Sequence, residues 1–228
     1  MSTDLFRNRI YKVSAAILTI CFSLFCVGYA YFLSGAQIAW LGVSFFYLVT
    51  DDTHVEAGAE FIKIEGGAGY LLRYENVDYA VLSVYFNELD GYAVQASLTA
   101  KGEKVQLIEI SISKLYFKNK EEKQNANIYV GALNMLYDYM TVLNECMVRL
   151  DKGATQESTK RILQPLERQL AYTSEQYAGK YPKFSRICKE AAETLCELNA
   201  KTLFAKDIRY LLCELSEKYV ALASDFSI

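Results

Sequence analysis

The side chains that most often carry catalysis are few in this sequence, and they do not cluster. His54 is the one histidine of the chain, and it stands near a predicted helix start among acidic residues. The adjacent carboxylates Asp51 and Asp52 could serve a glycan hydrolase, but such a pair in a loop is more often a helix cap. The sequence contains no Gly-rich phosphate loop and no nucleophile motif. We therefore expect a protein that is not an enzyme and that uses no cofactor.

The six cysteines do not follow a metal-binding pattern. Two lie in an apolar N-terminal run, and the other four are scattered along the C-terminal half without a CxxC pair or a nearby histidine. Those four are Cys146, Cys188, Cys196 and Cys213. We expect free thiols in an apolar core and no metal site, although outside the cytoplasm the four could form two disulfides.

The elements that must position any site begin with 38 consecutive residues, 13–50, that lack Lys, Arg, Asp, Glu and His. Residues 13–34 are long enough to span a hydrocarbon core of roughly 30 Å. Basic residues dominate before the run, so the positive-inside rule predicts that residues 1–12 are a cytoplasmic tail. The sequence thus predicts a transmembrane helix, a single-pass location in the cell membrane and an extracytoplasmic C-terminal bulk. A cleaved signal peptide and a buried core helix are the alternatives.

Residues 43–112 contain the same order of strand, helix and strand twice. The predicted strands are 43–50, 69–74, 78–86 and 104–111. Asn87 is the candidate N-cap of the second helix, and Asp52 or Thr53 that of the first. Two such units side by side predict an α+β domain of ferredoxin-like β-α-β-β-α-β type, in which a four-stranded antiparallel sheet carries both helices on one face.

Alternation along the strands predicts which side chains lie on the open face of this sheet. The predicted open-face residues are Phe45, Tyr47, Tyr79, Val81, Ser83 and Tyr85, whereas Phe46, Leu48, Leu82 and Val84 are predicted to face the helices. A register shift of one residue would reverse the two sets. Aromatic rings and hydroxyls on an open sheet could stack on sugars and bind their hydroxyls. Packing of the same tyrosines under the C-terminal helices is the alternative.

An N-terminal anchor followed by this duplicated unit resembles the SPOR domain, the sporulation-related repeat. The resemblance covers about 70 of the 228 residues, namely the strands at 46–50 and 79–85 with the helices around Ala57 and Ala93. It implies binding to peptidoglycan glycan strands at a division septum or in sporulation. The six open-face residues would then be the glycan-binding site.

The charge balance argues against a nucleic-acid partner. The whole chain has a net charge of −3, and residues 51–113 contain 11 acidic and 4 basic side chains. Because phosphate backbones require clustered cationic charge, neither DNA nor RNA is an expected ligand. A neutral polymer such as a glycan strand agrees better with this charge.

The C-terminal half, residues 120–226, has the apolar period of helices. Leucines, methionines and aromatic residues recur in steps of three and four, which predicts three or four antiparallel helices in a bundle. This bundle could bind a protein partner. The leading hypothesis is therefore a membrane-anchored, extracytoplasmic peptidoglycan-binding protein. The alternative is a non-catalytic protein–protein scaffold of a membrane division or sporulation complex.

Overall fold

The computed structural model describes residues 37–50 and 67–226. These residues form four strands and five helices. The strands are β1 (Gln37–Thr50), β2 (Tyr70–Tyr74), β3 (Val77–Tyr85) and β4 (Val105–Phe117). The helices are α1 (Glu88–Ala100), α2 (Lys120–Asp151), α3 (Gln156–Tyr177), α4 (Pro182–Ala200) and α5 (Ala205–Ser224).

The strands form one antiparallel sheet in the order β2-β3-β1-β4. The α+β class and the four-stranded antiparallel sheet are therefore observed, but the predicted pair of units side by side is wrong. Strand β1 of the first unit lies between β3 and β4, the two strands of the second unit. The physical reason is that residues 45–50 of β1 are buried, which requires partners on both edges and cover on both faces. The first predicted helix, near Asp52, lies outside the described residues.

The two longest strands extend well past the predicted repeat. Strand β1 begins at Gln37 instead of residue 43, and β4 continues to Phe117 instead of residue 111. Their register shifts by one residue between Trp40 and Val43, where Gly42 has a φ of +63°. A glycine in this conformation is typical of a β-bulge, which bends and twists a strand locally. The long β1–β4 ribbon therefore twists, and its far end also reaches the C-terminal helices.

Helix α1 begins where the sequence predicted. Asn87 is its N-cap, and the Asn87 side chain accepts a hydrogen bond of 2.9 Å from the backbone N–H of Leu89. After the helix, Gly102 has a φ of +89°, which reverses the chain toward β4. Gly91 lies against Leu107 of β4, so the helix packs closely on the sheet through its one buried residue.

The C-terminal half contains four helices, within the predicted three or four. They do not form a separate bundle, because α2 and α5 pack directly on one face of the sheet and α3 and α4 lie outside them. Leucine, methionine and aromatic residues of this layer and of the sheet form one continuous core. Gly153 follows the end of α2, and Pro182 begins α4 at a position where the missing N–H costs nothing.

The predicted membrane topology requires a correction. Within residues 37–50 and 67–226, no helix combines the length and the apolar character that crossing a bilayer requires. This finding contradicts the predicted transmembrane helix and the single-pass location in the cell membrane. Residues 1–12 and 13–34, the predicted tail and anchor, lie outside the described residues.

Candidate functional site

The sheet face predicted to be open is covered by the C-terminal helices. Phe45, Tyr47 and Val81 are completely buried on this face. The hydroxyl of Tyr47 donates a hydrogen bond of 2.9 Å to Oγ of Ser216 in α5. The prediction that these three residues line an accessible binding surface is wrong, and the alternative of packing under the helices is correct for them.

The other three predicted residues do not share one surface. Tyr79 is half-buried against the same core. The register between β1 and β3 shifts after Leu48, so that Leu48 pairs with Ser83 whereas Val49 pairs with Val81. Because paired residues lie on the same face, this bulge moves Ser83 and Tyr85 to the opposite face. The six residues therefore never form one aromatic face.

Aromatic packing seals the sheet against α2 and α5. The ring of Phe45 contacts Tyr219 of α5 at a centroid distance of 5.3 Å and Phe86 at 5.7 Å, both edge to face. Tyr70 of β2 donates a hydrogen bond to the carboxylate of Glu217. Burial raises the pKa of Tyr47 and Tyr70 above the ordinary value, so both hydroxyls remain protonated donors at neutral pH. These tyrosines bind the two layers together.

An accessible concavity lies at another place, between α1, the C-terminal end of α2 and the start of α5. We name it the α1 cleft. Its volume is about 650 Å³. It is lined by Tyr85, Phe86, Asn87, Asp90, Ala93, Val94, Asn144, Met147, Val148, Asp151, Lys152 and Arg209. Ligand pockets in proteins typically measure about 300–1,000 Å³, so this cleft has room for a small ligand or a few side chains.

The α1 cleft has an apolar floor. Met147 is buried, and Phe86 and Val148 are half-buried beneath the opening. Val94 reaches the cleft from α1 with 36% of its surface exposed. Apolar groups that remain partly accessible at the bottom of a concavity favour binding of an apolar side chain, because binding removes them from water.

The rim of the cleft is polar and electrically balanced. Arg209, at the start of α5, forms an ion pair with Asp151 at the end of α2. Asn144 is half-buried at the rim, while Asp90 and Lys152 are exposed and carry opposite charges. Burial raises the pKa of Tyr85 further above its ordinary value, so its hydroxyl is a hydrogen-bond donor at neutral pH, as an unshifted tyrosine would also be. The rim can therefore donate and accept hydrogen bonds without attracting one sign of charge.

The α1 cleft is assembled from three distant segments of the sequence. Asn87 fixes the start of α1, and Gly153, with a φ of +87°, turns the chain after α2. The backbone N–H of Phe204 donates to the carboxylate of Asp207, which caps the start of α5. The sequence predicted Asn87 as the start of a helix. It did not predict that these three segments meet in space, because nothing in the sequence indicates which helix ends lie together.

The cysteines are free thiols where the structure describes them. Burial raises the pKa of Cys146 to about 11 and of Cys188 to about 12, and it also raises the pKa of the completely buried Cys213. Since the thiolate is the reactive form, these three side chains are poor nucleophiles. Cys196 is exposed. Among residues 37–50 and 67–226, no three His, Cys, Asp or Glu side chains lie close enough together to hold a metal ion.

The fold defines an α+β protein in which helices α2 and α5 close one face of an antiparallel sheet and a mixed cleft remains beside α1. Comparison with models of known families, with curated proteins and with solved structures finds no match for this chain. The resemblance to the SPOR domain therefore stays a prediction.

Proposed function

We infer that this protein is a non-catalytic protein-interaction module, and that its α1 cleft takes up a short segment of a partner protein. The observation that carries this proposal is the combination of a partly exposed apolar floor with a balanced polar rim in one cleft of about 650 Å³. It agrees with the scaffold alternative derived from the sequence. Action in a division or sporulation complex stays a prediction.

The six residues predicted to bind glycan do not form an accessible surface. Of the six predicted residues, Phe45, Tyr47, Val81 and Ser83 are buried, and Tyr79 and Tyr85 are half-buried on opposite faces of the sheet. Stacking on a sugar requires flat rings that are accessible side by side. Binding of peptidoglycan remains a prediction without a site, which is why we prefer the protein partner.

The chemistry of the α1 cleft selects the kind of segment that fits. Phe86, Val94 and Val148 favour one or two apolar side chains, because their exposed apolar surface is removed from water on binding. Asn144 offers both a donor and an acceptor to an extended peptide backbone. The Arg209–Asp151 pair is already neutral, so it gives no preference for a charged partner. The expected ligand is an uncharged, extended peptide with apolar anchor residues.

The side chains around the cleft support a binding role better than a catalytic one. Asp151 is paired with Arg209, and Tyr85 is held in its protonated form. General acid–base catalysis needs a group that titrates near the working pH and that reaches the substrate. Tyr85, whose pKa burial raises further above neutrality, does not meet this requirement.

Selection from a displayed library of random peptides tests the proposal. The full 228-residue chain is the bait, and each enriched peptide is then synthesised and titrated against the chain by isothermal calorimetry. We expect enriched peptides to share apolar anchor residues and to lack net charge. Failure to enrich any such sequence contradicts the proposal.

Two substitutions on α1 supply the matched control. Val94→Arg places a charged side chain in the α1 cleft, whereas Leu89→Arg makes the same change on the same helix at a residue that does not line it and is 74% exposed. We expect Val94→Arg to weaken peptide binding at least tenfold and Leu89→Arg to leave it unchanged. Equal effects of the two variants would place the peptide elsewhere. If the chain co-sediments with purified peptidoglycan sacculi, and Val94→Arg does not change this co-sedimentation, the glycan role is favoured instead.

A further inference from the structure

The outer edge of β4 is a long strand edge with few partners. Strand β4 pairs with β1 on its inner side, and the sheet order leaves its other side at the edge. Near the end of the strand, the N–H of Tyr116 donates a hydrogen bond of 2.7 Å to the carbonyl oxygen of Phe226. Within the described part of the chain, this is the one backbone hydrogen bond on the outer side of β4. Among the described residues, the stretch 105–115 has no backbone partner on this side, although the carbonyl oxygen of Val105 accepts a hydrogen bond from the Gln95 side chain.

The other edge of the sheet differs from this one. Strand β2 has only five residues and ends in a tight turn at Glu75 and Asn76, both of which have a positive φ. Arg73 on this strand is exposed and faces Asp78 of β3. Short length and charge are the usual protections of an edge strand against pairing with another chain. Strand β4 is 13 residues long and contains no proline.

The sequence of the open stretch is self-complementary. Residues 108–112 read Ile-Glu-Ile-Ser-Ile, so isoleucines occupy the same positions in both directions around Ile110. Ile110 is also the midpoint of the stretch 105–115 that Phe226 leaves open. We propose that β4 pairs with β4 of a second copy of this chain, antiparallel and centred on Ile110, to form a symmetric dimer with a continuous eight-stranded sheet.

The centred register makes the cross-strand pairs of residues 108–112 favourable. Ile108 lies opposite Ile112 of the second copy, and Ile110 lies opposite its own equivalent. Glu109 lies opposite Ser111 of the second copy, and the reverse pair follows from the twofold axis. Moving the centre to Glu109 would place two carboxylates directly opposite each other, which is destabilising. If one strand moves by one residue relative to the other, isoleucines lie opposite Glu109 and Ser111. The apolar face of one strand is then paired with the polar face of the other.

The exposure of these side chains agrees with pairing. Ile108, Ile110 and Ile112 are half-buried beside the core, so a second β4 would complete their burial. On the opposite face, Glu109 and Ser111 are exposed, and Glu109 accepts hydrogen bonds from Ser111 at 2.7 Å and from Ser44 at 3.1 Å. Because Ser44 lies on β1, these bonds hold the Glu109 carboxylate toward the inner side of the strand. In the dimer the Glu109 side chain turns outward to meet the hydroxyl of Ser111 from the second copy.

Thiol cross-linking at two isoleucines tests the register. In the centred dimer, Ile110→Cys brings two thiols opposite each other across the axis. Ile108→Cys, on the same face of the same strand, separates them by four residues, about 14 Å along the strands. With a short bifunctional thiol reagent on the full-length chain, we expect a covalent dimer from Ile110→Cys well above the background of the wild-type cysteines. Ile108→Cys is expected to remain at that background. Equal cross-linking of the two variants, or cross-linking only at residue 108, overturns the proposal.

Analytical ultracentrifugation of the full-length chain gives an independent test. We expect a monomer–dimer equilibrium that Ser111→Glu weakens roughly tenfold, because each introduced carboxylate then lies opposite Glu109 of the other copy. Ser113→Glu is the control, since residue 113 lies opposite Leu107 and no new pair of like charges forms. Thermal unfolding of each variant as a monomer separates loss of association from loss of folding. If the wild-type chain stays monomeric at all concentrations, the proposal is overturned. That result is expected if β4 pairs only with a strand of a different protein. Val94→Arg, which blocks the α1 cleft, is expected to leave the dimer intact.

Discussion

The two faces of the sheet are covered by very different helices. Helix α5 has 20 residues and buries nine of them, including Tyr219, Leu212 and Ser216, against the sheet and the neighbouring helices. Helix α1 has 13 residues and buries only Gly91. The aromatic face of the sheet is therefore part of the core under α5. The accessible cleft lies beside α1, which covers its face only lightly. The comparison teaches that an aromatic sheet face indicates a binding surface only when no other part of the chain can cover it.

The largest loss of stability is expected for Phe45→Ala, on the sheet face that α5 covers. The Phe45 ring is completely buried and contacts Phe86, Tyr137 and Tyr219. Removing it leaves a cavity, so we expect a loss of about 3–5 kcal/mol in the free energy of unfolding. Guanidinium denaturation measures the loss. Leu89→Ala on exposed α1 is the control, with an expected change below about 0.5 kcal/mol. Similar losses in the two variants would show that the faces do not differ.

On the other face, α1 approaches the sheet closely at Gly91. A Cβ atom at this position would lie 3.0 Å from Cδ2 of Leu107, so a larger side chain must push α1 away from β4. We expect Gly91→Leu to lower the free energy of unfolding by about 1–3 kcal/mol. Ala96→Leu makes a similar addition at an exposed position of the same helix. If Gly91→Leu is as stable as Ala96→Leu, α1 does not pack on the sheet as described.

Removing one buried hydrogen bond measures how much polar contacts between the sheet and α5 contribute to stability. Tyr47→Phe removes the hydroxyl that donates to Ser216 and keeps the ring. Because the Ser216 hydroxyl still donates to the carbonyl of Cys213, no donor is orphaned, and we expect a loss of about 0.5–1.5 kcal/mol. Chemical denaturation gives this value. Tyr172→Phe, at a tyrosine that is 62% exposed, is expected to change nothing measurable.

The smallest effect is expected at the outer surface of the helical layer, where Lys218 of α5 contacts Glu190 of α4 at 2.7 Å. The hydrogen bond from Lys218 lowers the pKa of Glu190 in the folded state. A lowered carboxyl pKa contributes stability that is present above the unfolded value of about 4.3 and is lost as pH falls through the folded value.

Lys218→Met should therefore be less stable than wild type at pH 7 and approach it under acid conditions. Since the Glu190 side chain is 45% exposed, solvent screens the pair and the difference should stay below about 1 kcal/mol. Thermal melts from pH 7 to pH 3 measure it. A difference that grows as the pH falls would contradict the assigned pair.

The sequence predicted the local elements better than their arrangement. Alternation located all four strands, and Asn87 correctly marked the start of α1 because its side chain satisfies a backbone donor there. Helical period located the C-terminal helices. These signals are short-range, since each depends on residues a few positions apart.

The arrangement depends on features that composition does not encode. The bulge in β3 after Val81 moved Ser83 and Tyr85 to the other face, and no glycine or proline marks it in the sequence. The α1 cleft depends on Asn87, Asp151 and Arg209 meeting in space, although they are widely separated along the chain. The bulge explains why Ser83 and Tyr85 do not lie with the other predicted glycan-site residues, whereas Phe45, Tyr47 and Val81 are covered by the C-terminal helices. The α1 cleft was missed because the sequence does not show which distant segments meet.

The bond between Tyr47 and Ser216 joins residues that are 169 positions apart in the chain. On a ribosome that adds about 5–20 residues per second, Tyr47 is made roughly 8–34 s before its partner. During that interval the aromatic face of β1 and β3 has no α5 to cover it. The nascent chain is therefore expected to depend on chaperones until α5 emerges, and a stop codon before α5 should yield an insoluble product.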